Sequence, residues 1–315
     1  MEIFWTVLLF LLGVALIVKG GDWFVDAASW IAEATGIPHF VVGATVVSFA
    51  TTLPEMIVSV VATAEGKIDM AIGNAVGSVT ANTGLILAVS LLCIPCAINR
   101  KQFGFKGLLL MLSCVVLFAL CAGGGLNGWA GLLLVCIFAA FMIENVHKAK
   151  RAMLCETRAP MDKRKLPKNL LLFVIGAACI VFGADLLVDN GSELARILGV
   201  PESIIGLTFV AVGTSLPELV TTVTAIVKKQ SSLSVGNIVG ANIIDLALIL
   251  PVCSWVSGGT LPISHQTLML DIPVCFALIC VAIVPALFSG RFGRWQGVLL
   301  LGGYAAYVIG LAVSV

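Results

Sequence analysis

Residues 41–55, VVGATVVSFATTLPE, place a carboxylate and a proline inside a run otherwise apolar enough to cross a membrane. A shift of 163 lays this stretch on residues 204–218, IIGLTFVAVGTSLPE, with Gly43 on Gly206, Thr45 on Thr208, Thr51 on Thr214, Leu53 on Leu216, Pro54 on Pro217 and Glu55 on Glu218. The same shift, without a gap, carries Gly73, Asn74 and Gly77 onto Gly236, Asn237 and Gly240, and Asp22 and Asp26 onto Asp185 and Asp189. Over residues 20–84, 21 of 65 positions are identical to their counterparts. A local motif does not extend so far; an internal duplication does.

Outward from that stretch, the chain of 315 residues is 60% hydrophobic and 11% charged, with a mean hydropathy of +1.11. Soluble domains carry about 25% charged residues, so the composition is that of an integral membrane protein. The ten cysteines fall mostly inside apolar runs, where Cys behaves as a small hydrophobe, and all are read as free thiols. The one C-x-x-C, Cys93 to Cys96, has no second pair beside it to complete a zinc site, and His39, His147 and His265 are scattered. Glu2 stands where a signal peptide would carry basic residues, which makes the N-terminal segment an uncleaved first span.

A span needs about 20 mostly apolar residues. That rule places spans at about 3–19, 37–64, 70–96, 103–122, 128–146, 169–188, 200–227, 233–256, 266–289 and 294–314, ten in all as five plus five. The first of each half can equally continue past Asp22 and Asp26, or Asp185 and Asp189, as a long tilted helix. The expected division is a first five-helix repeat over 1–146, a basic cytoplasmic linker over 147–168, and a second five-helix repeat over 169–315. Alternating outward from the linker puts 16 of the 18 basic residues on the cytoplasmic side, leaving only Lys67 and Arg196 outside, with both termini external. An odd number of spans per half inserts the second half upside down. The predicted fold is therefore all-α, an inverted-topology repeat with discontinuous ion-binding helices, an architecture of secondary transporters whose site lies at the repeat interface.

A transmembrane carboxylate costs about 3 kcal/mol on insertion scales, so Glu55 and Glu218 need a partner, and no Lys or Arg in these spans is placed to supply one. Two equivalent glutamates converging across a pseudosymmetric interface would be balanced by a bound cation; the blander reading makes each a protonated core residue. Pro54 and Pro217 lack an N–H and clash with the carbonyl four residues back, which predicts a helix break beside each carboxylate. Carbonyls freed at Ala50, Thr51, Gly213 and Thr214, with the hydroxyls of Thr51, Thr52, Thr214 and Ser215, form an all-oxygen donor set of the kind hard cations such as Ca²⁺ take. An ordinary proline kink is the plainer alternative. The next span of each half, GNAVGSVTAN (73–82) and GNIVGANIID (236–245), carries G-x-x-x-G faces that let backbones approach closely and bring Ser78, Asn82 and Asp245 towards the broken helices. Asn74 and Asn237 read as hydrogen-bonding caps for the broken helix rather than as direct ion contacts. Asp22, Asp26, Asp185 and Asp189, with Glu33, Glu144 and Glu193, read as interfacial.

These paired TSLPE-type and GN-x-x-G-type segments resemble the alpha-repeats of the cation/calcium exchanger superfamily over essentially the whole chain. The resemblance implies ten helices in an inverted repeat around a central site where Na⁺ and Ca²⁺ compete. It assigns Ca²⁺ to Glu55, Glu218, Thr51 and Thr214, and the sodium sites to Thr52, Ser215, Ser78, Asn82 and Asp245. In such proteins the first helix of each half slides against the remaining core. Two departures stand out: Thr52 replaces the usual serine, and Ala241 stands where the family often has one, removing a possible sodium ligand. An acid at Asp245 is associated in the family with potassium dependence or proton coupling.

The sequence thus points to an antiporter exchanging Ca²⁺ for Na⁺, with no enzymatic activity and no cofactor. Its partners are small cations and the lipid bilayer, not nucleic acid, and its expected location is an energised membrane such as a prokaryotic inner membrane. The alternatives are a Ca²⁺/H⁺ or K⁺-dependent Na⁺/Ca²⁺ antiporter and, from another class, a passive cation channel, whose conduction would need weaker, multiple sites. No P-loop is present for ATP-driven pumping.

Overall fold

The computed structural model describes residues 2–94, 98–154, 163–199 and 213–314. Among them ten helices follow in order: α1 (Glu2–Thr35), α2 (His39–Ala64), α3 (Ile68–Cys93), α4 (Arg100–Cys121), α5 (Gly128–Met153), α6 (Leu166–Ile197), α7 (Leu216–Val227), α8 (Ser231–Val256), α9 (Thr267–Ser289) and α10 (Arg294–Ser314). Among the described residues, α1 to α6, α8 and α9 are long and apolar enough to cross a membrane by length and composition. The upstream part of the expected 200–227 span, with Gly206 and Thr208, lies outside the described residues, as does the middle of the basic linker. Two three-residue strands, β1 (Gly125–Asn127) and β2 (Thr260–Pro262), pair antiparallel.

Of the two lengths open for the first helix of each half, the longer one is found: α1 and α6 run on through Asp22 and Asp26, and through Asp185 and Asp189. At 1.5 Å per residue each is close to 50 Å long, well beyond a hydrocarbon core of about 30 Å, so each must tilt or project. They pack on one another through glycines. A Cβ on Gly13 would lie 2.9 Å from the carbonyl oxygen of Gly183, and one on Gly20 would lie 2.9 Å from that of Gly176. Under the repeat shift Gly13 becomes Gly176 and Gly20 becomes Gly183, so the contact maps onto itself, which is the signature of a two-fold relation between the halves.

The connections show that this relation is an inversion. Ile98 N–H donates to Gly290 O at 3.0 Å, joining the α3–α4 and α9–α10 loops, while β1 and β2 join the α4–α5 and α8–α9 loops. The two loops at opposite ends of α4 cannot share a face, because its 22 residues span about 33 Å. The α3–α4 loop and its repeat counterpart, the α8–α9 loop, therefore lie on opposite faces. Local backbone follows the repeat too. Gly36 and Gly199, which end α1 and α6, are counterparts with φ of 66° and 79°. Gly66, at φ 77°, has Lys229 as its counterpart, which keeps φ at 60° although an L side chain is disfavoured there.

Burial separates core from periphery. The most apolar window of α8 is 83% buried and that of α3 72%, against 17% for α1. The G-x-x-x-G face of α8 packs on α2 as expected: a Cβ on Gly236 would fall onto Phe40 O, and one on Gly240 would lie 2.7 Å from Ala44 O. Gly73 and Gly77 of α3 meet no such neighbour among the described residues; the segment that the repeat would set against them is within 200–212.

One expectation from single residues needs correction. Pro54 does not break its helix, since the helical segment Ser48–Ala64 is continuous through it, and the irregularity sits upstream as a wide i→i+5 turn at Gly43–Val47. In the second half the break is present, with Thr214 and Ser215 in a turn and α7 restarting at Leu216, so that Pro217 falls in its first turn, where its missing N–H is harmless. Lys106 is buried inside the bundle. Its ammonium is fully buried, 3.4 Å from Glu144, hydrogen-bonded to Asn145 Oδ1 and 4.7 Å from the Phe40 ring centroid.

Candidate ion-binding site

The two TLPE-type segments and the two GN-type segments converge in the interior of the bundle. Glu55, Glu218 and Asp245 are all at most 1% exposed, and Thr51, Thr52, Ser215, Ser78 and Asn82 are buried as well. The three acids are close enough to act on one another electrically, and no Lys or Arg pairs with any of them among the described residues. Thr52 Oγ1 donates to Glu218 Oε1 at 3.1 Å, tying α2 to the start of α7. Ser78 and Thr214 come together on the wall of one cavity.

Wide turns begin at both asparagine-equivalent positions, Asn82–Leu87 in α3 and Asp245–Ile249 in α8. Such turns interrupt the regular i→i+4 ladder and cluster at functional sites. The sequence gives no local cue for them, since neither run contains proline.

Asn74 and Asn237 do not cap a broken helix at Pro54 but bond across to neighbouring helices. Asn74 Nδ2 donates to Glu55 O at 3.1 Å and to Ser59 Oγ at 2.9 Å. Asn237 accepts from Thr51 Oγ1 at 3.2 Å and donates to Thr221 Oγ1 at 3.0 Å. The bracing is not symmetric: Ser59 has Thr222 as its counterpart, yet Asn237 uses Thr221 and leaves Thr222 Oγ1 buried without a partner.

The decisive property of the site is what remains unbonded. Both carboxyl oxygens of Glu55 and of Asp245, Glu218 Oε2, Asn82 Oδ1 and Ser215 Oγ are buried with no hydrogen-bond partner. Leaving one such group unpaired costs on the order of 1–3 kcal/mol, more when charged. Several together, in one place and all oxygen, form a donor set for a hard cation. No three His, Cys, Asp or Glu side chains converge closely enough to hold one metal ion among the described residues. A cation here would therefore take two carboxylates at most and fill its shell from hydroxyl, amide and carbonyl oxygens.

Asp271 lines the same cavity as Ser78 and Thr214. Lys228 bridges Asp22 Oδ1 at 3.2 Å and Asp26 Oδ1 at 2.7 Å. Asp185 and Asp189 line a separate cleft that reaches Gly213 and Thr214, Glu193 pairs with Arg196, and Glu33 lies 4.0 Å from His39. The eight described cysteines are free thiols. Sequence reading passed over Asn242 and Thr83, which bond to the Asn82 side of the site; the repeat could not flag them, because their counterparts, Val79 and Leu246, are apolar.

Comparison with known proteins gives a concordant result. The family model described as sodium/calcium exchanger protein matches residues 5–145 and 168–313. The sodium/calcium exchanger MaX1 of Methanosarcina acetivorans is 30% identical, with 96% of this chain and 97% of the relative covered. The inner membrane protein YrbG of Escherichia coli is 32% identical, covering 95% and 94%. Among solved structures, the sodium-calcium exchanger NCX_Mj soaked with Na⁺ and no Ca²⁺ superposes with a TM-score of 0.86 at 29% identity, over 98% of this chain and 99% of that one.

Proposed function

The chain belongs to the sodium/calcium exchanger family, a family of membrane transporters rather than enzymes, and from that premise we propose that it exchanges Ca²⁺ for Na⁺ by alternating access at the buried carboxylate site. The observation that carries this reading is the cluster of unpartnered oxygens on Glu55, Glu218, Asn82, Ser215 and Asp245. One Ca²⁺ held by Glu55 and Glu218, with Thr51 and Thr214 contributing oxygens, neutralises the two glutamates; Na⁺ ions seated among Thr52, Ser215, Ser78, Asn82 and Asp245 neutralise the same charges. Either load satisfies the buried carboxylates, and both together would overcharge the site. Exclusion of one ion by the other is what couples their opposite movements.

The movement itself is a sliding of α1 and α6 as a pair. Their mutual glycine contacts and the shallow burial of the most apolar window of α1 support this, because two helices packed closely on each other can shift as a unit. In the membrane the termini face outward and the 147–168 linker faces the cytoplasm, between repeats 1–146 and 169–315. This orientation puts the β1–β2 pair outside, and the prokaryotic inner membrane supplies the gradient.

Asp245 favours one second reading. It is a third buried acid with both oxygens unpartnered, opposite an asparagine, and Ala241 offers no hydroxyl beside it. A proton or K⁺ on Asp245 would make the exchange H⁺- or K⁺-dependent. The test is ⁴⁵Ca²⁺ uptake into liposomes loaded with Na⁺, with K⁺, or given only a pH gradient. Uptake requiring internal Na⁺ is expected. Uptake driven by the pH gradient alone would transfer the assignment to Ca²⁺/H⁺ exchange, and flux indifferent to both gradients would remove the antiporter reading.

A further inference from the structure

An asparagine ligand has a problem that a carboxylate lacks: its two ends are nearly the same shape, but one attracts a cation and the other repels it. Asn82 is 1% exposed, and its Nδ2 donates to Asn242 Oδ1 at 3.1 Å. Asn242, equally buried, donates from its own Nδ2 to Thr83 Oγ1 at 2.9 Å. Through this chain from α3 to α8 and back, the nitrogen end of Asn82 is committed to the protein, and Oδ1 is left buried and unpartnered. We propose that Asn242 is a positioning residue that fixes the Asn82 amide with its oxygen towards the ions, and so sets the affinity of the site for Na⁺.

The inverted repeat supplies an independent argument. Asn82 has Asp245 as its counterpart, and Asn242 has Val79. Under the repeat relation the contact of Asn82 with Asn242 corresponds to Asp245 with Val79. Where the ligand position holds an amide, its neighbour is a residue that can orient it. Where the ligand position holds a carboxylate, which presents oxygen in either rotation, the neighbour is an apolar side chain that orients nothing. Both asparagines sit where this logic requires, on the one pair of positions that needs them. The wide turn that begins at Asn82 also contains Thr83, so the segment that displays the ligand oxygen also carries the acceptor that anchors the chain.

This inference rests on Asn82 being an ion ligand, and the experiment separates the two. Na⁺-driven ⁴⁵Ca²⁺ flux is measured in liposomes for Asn82→Leu, for Asn242→Val, and for Asn242→Val in an Asn82→Asp background, after each variant is shown to be monodisperse. Asn242→Val is expected to raise the half-saturating Na⁺ concentration about five- to tenfold with the maximal rate largely kept, the loss of one oriented hydrogen bond. In the Asn82→Asp background the same substitution should change it by less than about twofold, because a carboxylate needs no orienting. If Asn82→Leu behaves as wild type, the ligand reading falls. Should Asn82→Leu be impaired while Asn242→Val is not, only the positioning role falls. An equal loss from Asn242→Val in both backgrounds would make Asn242 a packing residue and overturn the proposal. Should Asn242→Val fail to fold, Thr83→Val, which removes the anchor of the chain, must raise the half-saturating Na⁺ concentration in the same direction and also lose its effect beside Asp at position 82.

Discussion

At the scale of single residues, the site is defined by oxygens that the protein itself does not satisfy. Glu55, Glu218 and Asp245 carry buried carboxyl oxygens with neither a cationic partner nor a donor. A group of this kind is retained against its desolvation cost only where something outside the chain completes it. The duplicated glutamates were legible in the sequence, because repetition separates a functional acid from a casual one. Asn242 and Thr83 were not, since the useful property of each is a bond to a residue on another helix, and the repeat makes them look like apolar positions. Ala241 gives the residue-scale prediction. It is fully buried one turn before Asp245 and occupies the place of Ser78 in the other half. Ala241→Ser adds an oxygen at that place, and transport should then show a steeper and tighter Na⁺ dependence, with Ca²⁺ affinity changed by less than about twofold. Flux titrated with Na⁺ at fixed Ca²⁺ reads both quantities, and an unchanged Na⁺ curve would mean that position 241 lies outside the sodium-binding shell.

At the scale of elements, what brings those residues together is close backbone contact between α2 and α8. Gly43 and Gly236 face each other's helices so closely that a Cβ on Gly43 would fall onto Leu233 O, and one on Gly236 onto Phe40 O. Backbone cannot give way as a flexible side chain can, and overpacking of this kind costs about 1–3 kcal/mol or more. Gly236→Ala should therefore lower thermal stability in detergent clearly, while Gly302→Ala on α10, where nothing lies within 4 Å, should not. Equal melting temperatures for the two variants would refute the tight α2–α8 contact. The glycine spacing announced this contact from the sequence. The proline rule served less well: it describes a helix in isolation, and Pro54 sits inside a continuous helix whose irregular turn comes earlier, at Gly43–Val47, where α2 meets α8. Pro217, at the start of α7, behaves as the rule says. The same residue type in equivalent places thus gives two local structures, because tertiary packing decides where the strain of a missing hydrogen bond is taken up.

For the whole molecule, the inverted repeat follows from counting spans and is visible in the pairing of loops across each face and in the self-mapping glycine contact of α1 with α6. Hydropathy could not decide the lengths of α1 and α6, because their polar residues are tolerated where side chains reach water or pair, as Asp22 and Asp26 do with Lys228. The symmetry is incomplete at the centre: under the repeat, glutamate corresponds to glutamate, but asparagine to aspartate and serine to alanine. An inverted repeat is the scaffold that alternating-access transporters use to open to either side of a membrane, with the substrate site at the repeat interface. The central claim is that one site, built on both glutamates, holds Ca²⁺ and Na⁺ in turn. Equilibrium ⁴⁵Ca²⁺ binding to the purified protein, titrated with Na⁺ and repeated for Glu55→Gln and Glu218→Gln, tests it most directly. The account predicts that Na⁺ weakens Ca²⁺ binding without reducing its capacity, and that either substitution abolishes specific binding. Saturable Ca²⁺ binding that survives both substitutions, or that Na⁺ leaves unchanged, would contradict it.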